Sequence, residues 1–218
     1  MIQAAMIALV LAYYFVPASH GCFLVLAAAK ARWGYGFSFA SSVVAGAMLP
    51  TLFKVAILQR GRRSREDLTD LLFLAAFWGM EGVIVDAFYR FQGVMFGTQP
   101  TFWTVLKKVL VDMFIYNTVF AVPYTLAWYE WKHHGFRLSQ IGHAFTADYY
   151  RTKTIPALCA TWIVWIPVVS ALYSLPPLLQ IPLFALALTF WVLMVAYITA
   201  RQNVPLPNPT PLPEPITE

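Results

Sequence analysis

The sequence predicts an all-α integral membrane protein, a helical bundle of four to six transmembrane helices plus one amphipathic interfacial helix. Hydrophobic residues make up 60% of the 218 positions and charged residues only 11%, and the mean hydropathy is +0.63. The apolar residues form six long stretches separated by short charged loops. A helical span needs about 20 apolar residues, so each of these stretches is a candidate span. Together they are predicted to form a single domain at residues 1–200, followed by a Pro-rich tail at 201–218.

The first apolar segment runs from Ile2 to Ala29 and is predicted to be a retained helix. It lacks a basic start and is longer than the roughly 7 to 15 apolar residues of a signal peptide. Pro17 and Gly21 in its middle predict a kink. The second segment covers Phe37 to Gln59.

The third segment runs from Asp67 to Phe96 and the fourth from Val105 to Trp131. Ser64, three residues before Asp67, is typical of a helix start. Apolar residues recur at helical spacing in the polar connection that follows the fourth segment: Leu138, Ile141, Phe145 and Tyr149. This pattern predicts either an amphipathic helix along the headgroups or a loop helix packed on the bundle.

The fifth segment runs from Ile155 to Leu175 and the sixth from Leu183 to Ala200. The prolines between them predict a turn, and leave open whether the two segments are separate crossings or one broken pair: Pro176, Pro177 and Pro182. The Pro-rich composition after Arg201 excludes a regular helix there.

The distribution of basic residues predicts the orientation. If all six segments cross, one side of the membrane carries nine Lys and Arg and the other side five, which places both termini on the cytoplasmic or matrix side. The net charge of +5 comes from basic residues at segment ends, so no nucleic-acid partner is expected. Cys22 and Cys159 lie in apolar segments, a placement that predicts neither a disulfide framework nor a zinc cluster.

The third segment carries a stripe of small and charged residues at spacings of three and four: Gly79, Gly82, Asp86, Arg90, Gly93 and Gly97. Glycines at this repeat allow a neighbouring helix to approach closely. Asp86 and Arg90 are four residues apart and can pair, and the cost of a charge in lipid predicts that they face inward. The stripe is therefore either an ion pair that fastens two helices or the wall of a polar cavity or pore.

The remaining intramembrane charges need partners of their own. Glu81 lies about 140° around the helix from Asp86 and cannot share its contacts. Asp112 follows Lys108 by four residues, which predicts a second pair, with Asn117 as a further buried polar group. Lys54 either extends to the headgroups or pairs across helices with Asp112 or Glu81.

No catalytic chemistry is indicated. The sequence contains no Gly-x-Ser-x-Gly, no phosphate-binding loop and no His-Glu-x-x-His, and His20 has no second histidine at metal-ligand spacing. We therefore expect no enzyme activity, no cofactor and no metal site.

Three patches resemble one known family. The stretch from Gly82 to Arg90, the stretch from Lys107 to Asp112 and the stretch from Trp162 to Pro167 are similar to the Gly-Pro-x-x-His-x-Trp-Tyr, Lys-Lys-x-x-x-Asp-Gln and Trp-x-x-Trp-Pro motifs of the Mpv-seventeen / peroxisomal membrane protein twenty-two family. The order and spacing hold from about residue 40 to residue 200. Four positions depart from the family's Pro, His, Trp and Gln, namely Val83, Asp86, Phe88 and Met113.

The resemblance implies a small multi-pass, channel-like protein of a mitochondrial inner, peroxisomal or bacterial inner membrane. Two functions are then open. One is the passage of small solutes or ions near the third and fourth segments, with Asp86, Arg90 and Asp112 setting the charge preference. The other is that of a non-catalytic subunit of a larger membrane complex, in which partners hold the C-terminal tail.

Overall fold

A computed structural model describes residues 2–59, 61 and 65–202, and every regular element in this part of the chain is helical. Ser64 and the tail beyond residue 202 lie outside the described residues. The elements, in chain order, are α1 (Ile2–Phe15), α2 (His20–Trp33), α3 (Tyr35–Ile57), α4 (Arg65–Phe96), α5 (residues 102–133), a 3₁₀ helix (Leu138–Phe145), α6 (Ala147–Tyr173) and α7 (Pro177–Gln202).

The long apolar helices make this an integral membrane protein. Among the described residues four helical stretches are long and apolar enough to cross a membrane: α3, Asp67–Phe96 of α4, α6, and Pro177–Val195 of α7. A fifth crossing arises if α1 and α2 form one bent pair. The predicted all-α membrane bundle of four to six spans is confirmed.

The kink predicted at Pro17 is a bend of 102° between α1 and α2. The Ser19 hydroxyl lies 2.8 Å from the Ala12 carbonyl and 2.7 Å from the Val16 carbonyl at the break, so these two acceptors share its one hydrogen. Both carbonyls also accept backbone N–H groups at 3.0 Å, from Val16 and Ser19 respectively, so the hydroxyl adds to the backbone bonds at the bend.

The last two apolar segments form separate helices rather than one broken pair. α6 and α7 are divided by a short break at residues 174–176, and each is long enough to span by itself. α7 begins at Pro177 instead of the predicted Leu183, because a proline in the first helical position lacks only an N–H that would have no helical partner.

Three of the four π-helical segments in the described chain end shortly before a proline, whereas the fourth, Lys54–Leu58, is followed by none. Three π-helical segments each end two residues before a proline: Val44–Met48 before Pro50, Val111–Ala121 before Pro123, and Tyr150–Thr154 before Pro156. Proline has no N–H to donate and its ring clashes with the carbonyl one turn back. Widening the preceding turn relieves this clash and keeps the helix continuous.

The polar connection after α5 packs on the bundle. Its 3₁₀ helix places Ile141 and the buried Ala144 against Ala127 of α5, with Tyr149 at the start of α6. The structure therefore matches the packed-loop alternative, in a helix of eight residues.

α3 and α4 approach each other closely through glycine. A Cβ atom added to Gly79 would lie 2.4 Å from the Phe39 ring, and one added to Gly82 would lie 2.2 Å from the Ser42 hydroxyl. Of the four predicted packing glycines, only these two lie in the contact. A Cβ atom added to Gly93 would make only an ordinary contact, 3.6 Å from Thr98, and Gly97 (φ +88°) lies beyond the end of α4 in the left-handed conformation that favours glycine.

Candidate functional site

Charged and polar side chains at the contact between α2, α3 and α4 form a compact group, the Asp86 cluster, made of Lys30, Ser38, Asp86 and Arg90. Asp86 is 2% exposed. Its Oδ2 atom pairs with the Lys30 ammonium and accepts a hydrogen bond from the Ser38 hydroxyl at 2.7 Å. Its Oδ1 atom lies 3.1 Å from the Arg90 Nε donor, which confirms the predicted i,i+4 pair.

The inner part of the Asp86 cluster has no spare hydrogen-bonding capacity. The Lys30 ammonium, from a residue only 2% exposed, also donates to the Gly34 carbonyl at 2.9 Å and to the Ser38 hydroxyl at 2.5 Å. Three donors therefore meet three acceptors. This closed arrangement corresponds to the interpretation of the stripe as a fastening between helices, here α2, α3 and α4.

Arg90 does not face inward as predicted. Its side chain is 52% exposed, and the guanidinium lies 4.7 Å from the centre of the Tyr35 ring, a cation–π contact. Lys30 was the partner that sequence reasoning missed, because it lies 56 residues from Asp86 and its position at the end of an apolar segment is that of an ordinary loop cation.

A second group of charges fastens one end of the bundle. The Lys54 ammonium lies 2.9 Å from Asp67 and 3.4 Å from Asp70, and Lys132 lies 2.6 Å from Asp70. Neither Asp112 nor Glu81, the predicted cross-helix partners of Lys54, is among its ion pairs within the described chain. The Lys54 side chain is 41% exposed, so it also extends toward the surroundings of the bundle.

The carboxyl groups of Glu81 and Asp112 line a cavity of about 530 Å³ between α4, α5, α6 and α7, here called the acidic cavity. Glu81, Asp112 and Asn117 belong to its wall, whereas Asp86, Arg90 and Lys54 do not. Aliphatic side chains form much of the other wall, together with seven aromatic residues: Trp78, Tyr89, Tyr116, Tyr129, Trp165, Phe184 and Trp191. Its described lining contains no Lys, Arg or His. Since the lining residues Ala160 and Val195 are exposed, the cavity opens at the surface of the bundle.

Asp112 is buried and receives two hydrogen bonds from side chains. The Tyr173 hydroxyl donates to its Oδ2 atom at 2.6 Å, and the Asn117 amide donates to its Oδ1 atom at 3.0 Å. The Gln92 amide in turn donates to the Tyr173 hydroxyl at 2.7 Å. Tyr173 and Gln92 were not predicted, since each lies on a different helix from Asp112.

The predicted Lys108–Asp112 ion pair is not formed. The Lys108 ammonium lies 5.5 Å from the centre of the Tyr173 ring instead. The helix becomes π-helical at Val111, so a spacing of four residues no longer aligns two side chains. The residue aligned with Asp112 is five positions away, and this residue is Asn117.

The π-helical segment Val111–Ala121 forms part of the cavity wall, and two side chains of α6 donate hydrogen bonds to its carbonyls. Pro123 cannot donate to the carbonyl of Thr118, five residues earlier, and the Tyr150 hydroxyl donates to it at 3.1 Å. The Trp162 indole similarly donates to the carbonyl of Met113 at 2.8 Å. Unusual π-helical turns are frequent at functional sites, and this one carries Asp112, Tyr116 and Asn117 into the cavity wall.

Glu81 is the exceptional group of the cavity. It lies at the middle of the Asp67–Phe96 span and is 6% exposed. Its Oε2 atom is buried and has no hydrogen-bond partner among the described residues. An unsatisfied buried polar group costs about 1 to 3 kcal/mol, and more when it is charged. A protein retains such a group at mid-membrane depth chiefly where it serves function.

Comparison with protein-family models, with curated proteins and with solved structures finds no match. The resemblance to the Mpv-seventeen / peroxisomal membrane protein twenty-two family therefore stays a prediction from the three motifs.

Proposed function

We propose that this membrane protein is channel-like and that small solutes or ions pass through the acidic cavity between α4 and α5. The observation that carries the proposal is the position of Glu81, an incompletely paired carboxyl group at the middle of a span and on the wall of a cavity of about 530 Å³. Transport sites commonly lie near the bilayer midplane, where ionisable residues face a cavity.

The proposed path lies beside the same two helices that the sequence predicted, α4 and α5, but different residues line it. The Asp86 cluster does not line the acidic cavity, and its inner donors and acceptors are paired, so a passing solute would find no free group there. Asp112 and Asn117 remain part of the path, and Glu81 takes the central role that Asp86 was predicted to have. The resemblance to a family of channel-like proteins supports the same function.

Solute flux through reconstituted liposomes tests the proposal. We expect the wild-type protein to release trapped small solutes faster than protein-free vesicles, with glycerol, rubidium, choline and chloride as the panel. Glu81→Gln should change the rate for at least one of these solutes, because it removes the charge of one of the two carboxyl groups in the cavity wall. Glu130→Gln is the matched control: this carboxyl lies on α5 outside the cavity, bonded to Tyr149 at 2.9 Å. Flux equal to that of empty vesicles for every solute would refute the proposal.

A second candidate function is that of a non-catalytic subunit of a membrane complex. It is favoured by an aromatic-lined groove of about 390 Å³ on α5, whose wall includes Phe120, Tyr124, Trp128, Trp131 and Phe145. A groove of this kind accepts a neighbouring helix. Co-purification in mild detergent distinguishes the two functions, because an obligate subunit migrates with a partner, whereas migration of this chain alone argues against a complex.

A further inference from the structure

We infer that the acidic cavity binds an organic cation and that Glu81 supplies its counter-charge. The inference rests on the proposed function and adds the class of solute. Its first support is the sign of the charge: two carboxyl groups, Glu81 and Asp112, line the cavity, and no basic side chain occurs among its described lining residues. Such a wall attracts a cation and repels an anion.

The two carboxyl groups differ in what they have left to offer. Asp112 already accepts hydrogen bonds on both oxygens, from Tyr173 and Asn117. Glu81 has an oxygen atom without any partner in the described chain. Burying an unpaired carboxylate is costly, so a cation placed beside Glu81 relieves the larger deficit. The position of the ligand charge is therefore assigned to the Glu81 end of the cavity.

The walls indicate an organic cation rather than a metal ion. Hard metal cations such as Ca²⁺ take about six to eight oxygen ligands, whereas this cavity has two carboxyl groups in a lining that is otherwise largely aliphatic and aromatic. Trp165 and Trp191 lie with ring centres 6.1 Å apart on the side formed by α6 and α7, and Trp78 and Tyr116 belong to the opposite side. Aromatic faces attract substituted ammonium groups by about 0.5 to 2 kcal/mol each.

A second polar group is available beside this site. The Tyr116 hydroxyl is buried, lines the cavity and has no hydrogen-bond partner in the described part of the protein. Its ring is stacked on Phe88 with centres 4.0 Å apart and planes 13° from parallel, so its direction is well defined. A ligand that carries a hydroxyl group in addition to its ammonium group would satisfy both Glu81 and Tyr116.

The volume fits a small organic molecule. Ligand cavities commonly measure about 300 to 1,000 Å³, and the acidic cavity has about 530 Å³. Choline combines a quaternary ammonium group with a hydroxyl, and 3,3-dimethylbutan-1-ol has the same shape without the charge. These two molecules therefore form a matched pair of probes.

Equilibrium binding of this probe pair to the full-length protein in lipid nanodiscs tests the inference. We expect saturable choline binding, with the neutral isostere at least about tenfold weaker, which corresponds to about 1.4 kcal/mol. Glu81→Gln should weaken choline binding by a similar factor, while the Glu130→Gln control binds like the wild type. Thermal melting of each variant verifies that it is folded.

The comparison of the two probes uses the wild-type protein, so the test does not depend on a variant that folds. Equal affinity for choline and its neutral isostere would overturn the inference, as would the absence of saturable choline binding. If choline fails to bind while Glu81-dependent flux of glycerol persists, the inference fails and the proposed function stands. If choline binds but no solute passes, the proposed function fails and the inference of a cation site stands.

Discussion

Two carboxyl groups five residues apart on α4 have opposite surroundings. Asp86 is paired with Lys30 and Arg90 and accepts a hydrogen bond from Ser38, at a close contact between helices. Glu81 has an unpaired oxygen and lines a cavity. Both residues are buried within the same apolar span. The position of a carboxyl group around the helix, rather than its depth in the span, therefore decides whether it stabilises the fold or forms a site.

Loss of charge should lower the stability of the protein strongly at Asp86 and only slightly at Glu81. A buried ion pair that loses one partner leaves the other charge without compensation. A buried carboxyl group with an unpaired oxygen gives no such support to the fold, so its replacement by an uncharged amide has little effect on stability.

Asp86→Asn should destabilise the protein by about 3 to 5 kcal/mol, because the Lys30 ammonium stays buried without its counter-charge. Thermal or denaturant unfolding in detergent measures this loss. The double variant Lys30→Met with Asp86→Leu should recover most of the stability, since packed apolar residues can replace a buried ion pair. A single variant that unfolds like the wild type would show that the cluster does not fasten the helices.

Gly82→Ala should cost about 1 to 3 kcal/mol, because the new Cβ atom would lie 2.2 Å from the Ser42 hydroxyl and 2.6 Å from the Ser38 carbonyl oxygen. Gly93→Ala on the same helix is the matched control, since its Cβ atom would lie 3.6 Å from its nearest neighbour, Thr98. The control should be neutral or slightly stabilising, by up to about 1 kcal/mol. Equal melting temperatures for the two variants would contradict the close α3–α4 contact.

Tyr150→Phe should cost about 1 kcal/mol, because it removes the donor that satisfies the Thr118 carbonyl. The cost should decrease in a Pro123→Ala background, in which the restored N–H can donate to the same carbonyl. A double-mutant cycle on unfolding free energies measures this coupling. Additive effects of the two substitutions would mean that Tyr150 does not compensate for the proline.

Much of the architecture could be predicted from local patterns. The lengths of the apolar stretches predicted the all-α membrane bundle, Pro17 predicted the bend, and the spacing of Gly79 and Gly82 predicted a close helix contact. These features depend on residues near one another in the chain. The i,i+4 pair of Asp86 and Arg90 belongs to the same class.

The composition of the two charged regions could not be predicted in this way. Lys30 meets Asp86 across 56 residues and Tyr173 meets Asp112 across 61, so both contacts depend on tertiary packing. The Lys108–Asp112 expectation assumed α-helical geometry where the helix is π-helical. The proline two residues after the segment is only a partial sequence signal for this change: Pro50 and Pro156 follow π-helical segments in the same way, but Pro167 and Pro182 lie in α-helical turns.

Labelling by water-soluble reagents tests whether the acidic cavity is accessible and the α3–α4 contact is closed. In a protein whose native Cys22 and Cys159 are replaced by Ala, a cysteine is introduced either at Thr125, which lines the acidic cavity, or at Ser42, which is buried in the α3–α4 contact. The rate of labelling by a small cationic methanethiosulfonate is then measured in liposomes. We expect rapid labelling of Thr125→Cys and none of Ser42→Cys until the protein is unfolded. Folded Thr125→Cys that resists the reagent, or Ser42→Cys that reacts equally fast, would contradict this expectation.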